Sequence, residues 1–208
     1  MKIQQKRAIW DADECLISMI PMFIIYLNKR LNLKLKYQDF TSFSYEAVTG
    51  IPEKEMKLLE REFYETTLYD EIEPKHGAVE VIEYLSKELN MDVATGRSKC
   101  DEIHLNRTIS KLFKPHHFEK IFHLGKNDDV GLIIPKWLKC KERGASLIID
   151  DSASTIINAG QNGIHGILVE APWNKKVTDL PKIVTRARNN YEVAEIMIRK
   201  REIFWPHG

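Results

Sequence analysis

The sequence predicts an α/β fold: a doubly wound parallel sheet with a small helical cap inserted after the first strand. Three observations predict it. Five short runs are apolar almost throughout: RAIW (7–10), MDVAT (91–95), EKIFHL (119–124), ASLIID (145–150) and GIHGILV (163–169). Strands of a parallel sheet covered on both faces read this way. Helical patterns alternate with the later runs, as in βαβ units. Finally, about 80 residues separate the first run from the second, far more than one crossover helix needs.

In chain order, RAIW leads straight into Asp11-Ala12-Asp13-Glu14. Next comes LISMIPMFIIYL (16–27), which is shorter than the roughly 20 apolar residues of a membrane span and is interrupted by Pro21. Acids precede it, whereas a signal peptide carries a basic segment there, so it reads as a buried helix. EKEMKLLEREFYETTLYDEIE (53–73) is rich in helix formers and lacks strand alternation. Residues 17–75 are therefore expected to form the cap, with 1–16 and 76–208 forming the core. GAVEVIEYLSKELN (77–90) supplies the crossover helix, with Val79, Ile82, Tyr84 or Leu85, and Leu89 near helical spacing. PKWLKCKERG (135–144) opens on a proline and stops at a glycine. DSASTIINAGQNG (151–163) starts with capping residues, and YEVAEIMIRKRE (191–202) is a further helical stretch.

The chain of 208 residues is long enough for one good-sized domain, or a core with an inserted subdomain. At 43% hydrophobic and 29% charged it is ordinary for a globular protein. A net charge of +1 gives no global field for nucleic acid or an anionic membrane. Cys15, Cys100 and Cys140 show no CxxC spacing, which argues against a disulfide framework or a zinc site and fits a reducing compartment. No targeting segment is visible, so the cytoplasm is the default expectation. A homodimer is left open.

Ligands of open α/β sheets bind at the carboxyl ends of the strands. There the chain places Asp11 and Asp13, then Thr95-Gly96-Arg97, then Asp150-Asp151, with Lys136 at a helix start between the third and fourth strands. Each residue type suits phosphoryl transfer. Acids at i and i+2 on extended backbone face the same side. One can attack phosphorus, and the other can protonate the leaving oxygen and later deprotonate water. Clustered carboxylates call for a hard divalent cation, Mg²⁺. Thr95 offers a hydroxyl, Gly96 a close backbone N–H, and Lys136 a point charge.

AIWDADECL, VATGR and PKWLKCKERGASLIIDDS together resemble the motifs of haloacid-dehalogenase-like phosphohydrolases. Within that superfamily they look most like the 5'(3')-deoxyribonucleotidase group. IEPKHGAVEVIEYLSKELNMDVATGRS and GILVEAPWN resemble further stretches of that group. The likeness covers most of residues 7–175. It implies a Rossmannoid core with a helical cap, and an Mg²⁺-dependent phosphomonoesterase acting through an aspartyl-phosphate on nucleoside monophosphates. Asp11 matches the nucleophile and Asp13 the general acid/base, whose backbone carbonyl also touches the metal. Thr95 and Lys136 match phosphate binders, with Gly96 and Arg97 beside Thr95. Asp151 matches the direct metal ligand, with Asp150 behind it or sharing that role. Cys15 departs from the usual Thr or Val, and Glu14 is an extra acid.

Alternatives stand beside these readings. Lys126 rivals Lys136 as the phosphate-binding lysine, and Lys139 shares a helix face with Lys136. Arg97 is read equally as a substrate contact or a surface salt bridge. His116, His117 and His123 match no common metal spacing and are expected in a surface loop. Among the aromatics of 39–46, with Phe23, Tyr26 and Tyr64, most are expected to pack helices, leaving Phe43 or Tyr45 for a nucleobase. The competing functions are a phosphatase for another small phosphomonoester or a nucleic-acid end, and a non-catalytic member that binds a phosphorylated ligand.

Overall fold

A computed structural model describes residues 6–125 and 133–206. Among these, six strands form one sheet: β1 (Arg7–Trp10), β2 (Asn90–Thr95), β3 (Ile121–His123), β4 (Leu147–Asp150), β5 (His165–Val169) and β6 (Val184–Ala187). Their order is β3-β2-β1-β4-β5-β6 and every pairing is parallel. The chain starts mid-sheet, winds outward to β3, then returns to add β4, β5 and β6 on the other side. The reversal lies between β1 and β4, which makes their carboxyl ends the switch point where such sheets take ligands.

The strands divide their side chains between two cores. Ala8, Trp10, Met91, Val93, Leu147, Ile149, Ile167 and Val169 join one cluster, while Ile9, Ala94, Ile148 and Leu168 join the other. This period-2 split explains why the runs look continuously apolar. Helices α1 (Met19–Leu31), α2 (Tyr45–Thr49), α3 (Glu53–Tyr64) and α4 (Thr67–Asp70) all fall between β1 and the crossover helix α5 (Ala78–Leu85). Then follow α6 (Glu102–Leu112), α7 (Lys136–Arg143), α8 (Ala153–Gln161), α9 (Asn190–Arg199) and α10 (Arg201–Phe204).

Pro21 sits in the first turn of α1, where its missing N–H breaks no helical bond. The chain leaves and re-enters the sheet layer through a paired neck. Ser18 N–H donates to Glu73 O at 2.9 Å and Lys75 N–H to Leu16 O at 2.8 Å. Among the described residues no helix is long and apolar enough to cross a membrane.

Several expectations need correction. The sheet has a sixth strand, VTRA, too short and polar to announce itself. Helix α6 was not foreseen, although Leu105, Ile109 and Leu112 have helical spacing. The crossover helix ends at Leu85, and Asn90 already belongs to β2. His117 is buried, not on a surface loop: its Nε2 lies 3.0 Å from Glu83 Oε2 and its Nδ1 accepts from Lys114 N–H. His123 stands on β3, with Nε2 3.4 Å from Asn106 Oδ1.

Candidate active site

Asp11 follows β1 directly, and its N–H extends the ladder by donating to Ile149 O of β4 at 2.8 Å. Asp150 ends β4 and is fully buried. The two carboxylates therefore come from adjacent strands at the switch point, and Lys136, the first residue of α7, lies between them. Its Nζ lies 2.6 Å from Asp11 Oδ1 and donates to Asp150 Oδ2 at 2.7 Å. The contact with Asp11 is a close ion pair without good hydrogen-bond direction, so Oδ1 stays buried with no directed partner. Burial outweighs the lysine and, with Asp150 and Asp13 nearby, pushes the Asp11 carboxyl up to about 7. Asp151 is buried too and lifted well above the usual carboxylate range by burial, then by Asp11 and Asp150. Lys136 is held as a cation by the two acids, against the effect of its own burial.

The backbone around these acids is fixed from several sides. Asp150 Oδ1 accepts from Ser152 N–H at 2.8 Å, and Ser152 rather than either aspartate caps α8. Asn174, buried beyond β5, donates to Asp151 O at 2.8 Å and to Val169 O at 2.7 Å, while Arg186 Nη1 donates to its Oδ1. That brace sits in the quoted GILVEAPWN run, but nothing in its spacing marks Asn174 as the holder of Asp151.

Thr95 ends β2, and its Oγ1 accepts from Arg97 N–H at 3.1 Å. Gly96 has open space where a Cβ would stand and an ordinary φ. The glycine the local packing demands is Gly125. A Cβ there would fall 2.1 Å from Gly96 O and 2.7 Å from Arg97 C, so Gly125 lets the β3 loop seat against the Thr95–Arg97 turn. Arg97, expected beside the phosphate binders, is engaged within the protein. Nε and Nη2 fork Asp13 at 2.8 and 2.6 Å, and Nη1 donates to Tyr69 OH at 2.7 Å.

Glu14 takes φ +58°, a left-handed conformation that non-glycine residues adopt at some cost. The turn buries its carboxylate, which accepts from Ile20 N–H at 2.9 Å, from Tyr37 OH at 2.9 Å and from Lys75 Nζ. The extra acid thus ties the Asp13 loop to the start of α1, to the inserted segment and to the neck. Cys15 is buried with its Sγ close to Asp11 and Asp151, and burial pushes its thiol up.

All eight sequence-selected residues line one cleft of about 660 Å³. Phe43 and Tyr45 line it from the inserted segment and Trp173 from the loop after β5. Phe40, Phe23, Tyr26 and Tyr64 are buried, whereas Phe43 is 65% exposed. Lys139 pairs with Glu142 and stands over the Phe122 ring, 4.7 Å from its centroid. Lys126 lies outside the described residues.

No protein-family model matches the sequence, and neither does any curated protein. Solved structures do. A haloacid-dehalogenase-like hydrolase family protein of Streptococcus pneumoniae superposes with a TM-score of 0.66 at 14% identity, over 93% of this chain and 99% of its own. A haloacid-dehalogenase-type hydrolase of Bacillus subtilis, solved with magnesium bound, gives 0.62 at 16% identity, over 93% and 99%. A subfamily IA hydrolase of Geobacter sulfurreducens gives 0.61 at 15% identity, over 94% and 98%. At such identities the likeness speaks for architecture, and this chain has the haloacid-dehalogenase-like fold.

Proposed function

We propose that this chain is an Mg²⁺-dependent phosphomonoesterase that works through an aspartyl-phosphate on Asp11. The observation that carries the reading is convergence. Two acids after β1, a hydroxyl at the end of β2, two acids at the end of β4 and a lysine at the start of α7 line one cleft at the switch point.

In this reading Asp11 attacks phosphorus, the ester P–O bond breaks, and Asp13 hands a proton to the leaving oxygen. Water then attacks the aspartyl-phosphate and gives a proton to Asp13, which restores the Asp11 carboxylate. Lys136 neutralises charge gathering on the phosphoryl oxygens, and Thr95 orients one of them. The donor set fits a hard cation: Asp11, Asp150 and Asp151 bring oxygens, Asp11 Oδ1 lacks a directed partner among the described residues, and the one lysine paired there among those residues leaves the group short of positive charge. Bound there, Mg²⁺ would screen the attacking carboxylate from the phosphate dianion. Asp13 would join through its backbone carbonyl.

We read residues 17–75 as a cap over this site, a reading supported by the paired neck and by the cleft residues of α2 and α3. Closing a cap excludes bulk water and reads the leaving group. For the substrate we favour a nucleoside monophosphate, because Phe43, Tyr45 and Trp173 give the cleft an aromatic wall. The second reading is a different small phosphomonoester with a hydroxyl-rich leaving group, favoured by Lys57, Glu60 and Arg61 on the cleft face of α3. Phosphate release from a panel of 5' and 3' nucleotides and sugar phosphates, with Mg²⁺, separates them. Turnover of sugar phosphates alone overturns the nucleotide assignment. No turnover, with Asp11→Asn indistinguishable from wild type throughout, overturns the reaction class.

A further inference from the structure

We propose that Arg97 is a positioning residue that fixes the orientation of the Asp13 carboxyl for the second half of the reaction, when water attacks the aspartyl-phosphate. The inference rests on the phosphomonoesterase reading above.

The geometry is a fork. Nε donates to Asp13 Oδ2 at 2.8 Å and Nη2 to Oδ1 at 2.6 Å. Two parallel bonds fix the plane of a carboxylate, where one would let it swing. The arginine is itself immobilised by the inserted segment. Tyr69 of α4 takes the Nη1 donor at 2.7 Å, and the guanidinium carbon lies 5.0 Å from the Tyr64 ring centroid and 5.6 Å from that of Tyr69. Its backbone is set as well, the N–H by Thr95 Oγ1 and the carbonyl by Gly125 N–H. The Arg97 side chain is 5% exposed and that of Asp13 is 24% exposed. The carboxylate is therefore the cleft-facing end of a rigid chain of contacts that begins in the cap.

Guanidinium presents its donors in one rigid plane, so a fork onto both oxygens fixes where the Asp13 carboxyl points. In the first half-reaction Asp13 must carry a proton for the leaving oxygen. In the second it must be the bare carboxylate. There the water oxygen bonds to phosphorus, the Asp11–phosphorus bond breaks, and the water proton passes to Asp13. The fork sets the direction from which Asp13 takes that proton.

The test uses p-nitrophenyl phosphate, whose leaving group departs without a proton, so kcat/KM reads attack by Asp11 and kcat reads loss of the aspartyl-phosphate. In Arg97→Met, kcat should fall about 100-fold, within the range of positioned acid–base groups, while kcat/KM stays within about threefold. A burst of p-nitrophenol approaching one equivalent per site should precede slow turnover. Arg97→Lys keeps the charge without the fork and should behave like the Met variant. Tyr69→Phe, which loosens Arg97 and leaves Asp13 untouched, should lower kcat in the same sense by less, and it carries the test should the Arg97 variants melt early.

A fall in kcat/KM with raised KM makes Arg97 a substrate contact and overturns the inference. So does unchanged kcat, full rescue by lysine, or an equal fall in both parameters without a burst. Asp13→Asn separates the levels. If it shows the slow-turnover burst and the Arg97 variants do not, only this inference fails. If it behaves as wild type, or wild type with Mg²⁺ releases no p-nitrophenol, the parent reading fails and this one with it.

Discussion

The sheet buries carboxylates in two places and treats them oppositely. In the middle of β2, Asp92 is fully buried yet met by two arginines: Arg7 Nη1 at 2.9 Å, and Arg143 through Nε at 2.9 Å and Nη2 at 3.3 Å. Both arginines also reach Glu119, at 2.8 and 3.0 Å, which closes a quartet of two acids and two bases. At the carboxyl edge, Asp11, Asp150 and Asp151 are buried together, and among the described residues Lys136 is the cation paired with Asp11 and Asp150. Burying charge is tolerable when it is paired and costly when it is not. The balanced quartet is what a fold does for itself. The unbalanced group is short of positive charge among the described residues, and either protons or a bound cation can make up the shortage.

Removing the attacking group should have the largest effect. Asp11→Asn is expected to lower phosphatase kcat by about 10⁴-fold or more, the scale seen when a nucleophile is lost. It should leave the fold intact, since it relieves like charge at the edge. Steady-state kinetics with a circular dichroism melt checks both halves, and a variant that keeps a tenth of wild-type turnover would remove Asp11 from its role.

Next is Lys136→Met, which takes away the positive partner of the unbalanced group. Here kcat/KM should fall about 10³-fold, as when a preorganised charge-stabilising donor is removed. The melt should become more dependent on Mg²⁺ than in wild type. A loss under tenfold would return the phosphate-binding role to Lys126. In contrast, Asp92→Asn should cost about 3 kcal/mol of stability, since it leaves buried Arg7 and half-buried Arg143 short of their partner. The folded fraction should keep its kcat. Urea unfolding and active-site titration measure the two separately, and a kcat that falls with stability would deny the division between the two clusters.

What the sequence made legible follows from the same contrast. The edge acids stand at the ends of apolar runs, where a polar pair is conspicuous, so Asp11, Asp13, Asp150 and Asp151 could be named before the fold was known. The braces could not. Asn174 acts on Asp151 from 23 residues away, and Gly125 matters because the Gly96 carbonyl lies beside it, a long-range contact with no local pattern. Gly96 is legible from its place at the end of the VATG run, and the space beside it is open. Arg97 stands out in the sequence beside Thr95 and Gly96, but its partner is Asp13, 84 residues distant. Glu14 was noticed as a departure. That its φ of +58° turns the carboxylate inward toward Tyr37 and Lys75 needed coordinates.

The smallest effect isolates the charge deficit itself. Burial holds the Asp11 carboxyl at about 7 in the folded chain, against 3.8 as its ordinary value. Below about pH 4 the group is protonated folded or unfolded and contributes nothing to the pH dependence. Between pH 4 and 7 the unfolded chain has released the proton while the folded chain keeps it. Folding then takes up a proton, and stability falls as pH rises. Above pH 7 the penalty is constant. In chelator, wild type should therefore lose a few degrees of Tm between pH 5 and 8, about what one to two kcal/mol produces at this size. Magnesium should restore most of that loss, and more at pH 8 than at pH 5, because the ionised site binds it better. Asp11→Asn should flatten the chelated slope, and Asp92→Asn should shift the whole curve down without changing its response to magnesium. Should Asp11→Asn keep the wild-type slope, the deficit resides in the Asp150–Asp151 pair, and the comparison has to be redrawn around β4.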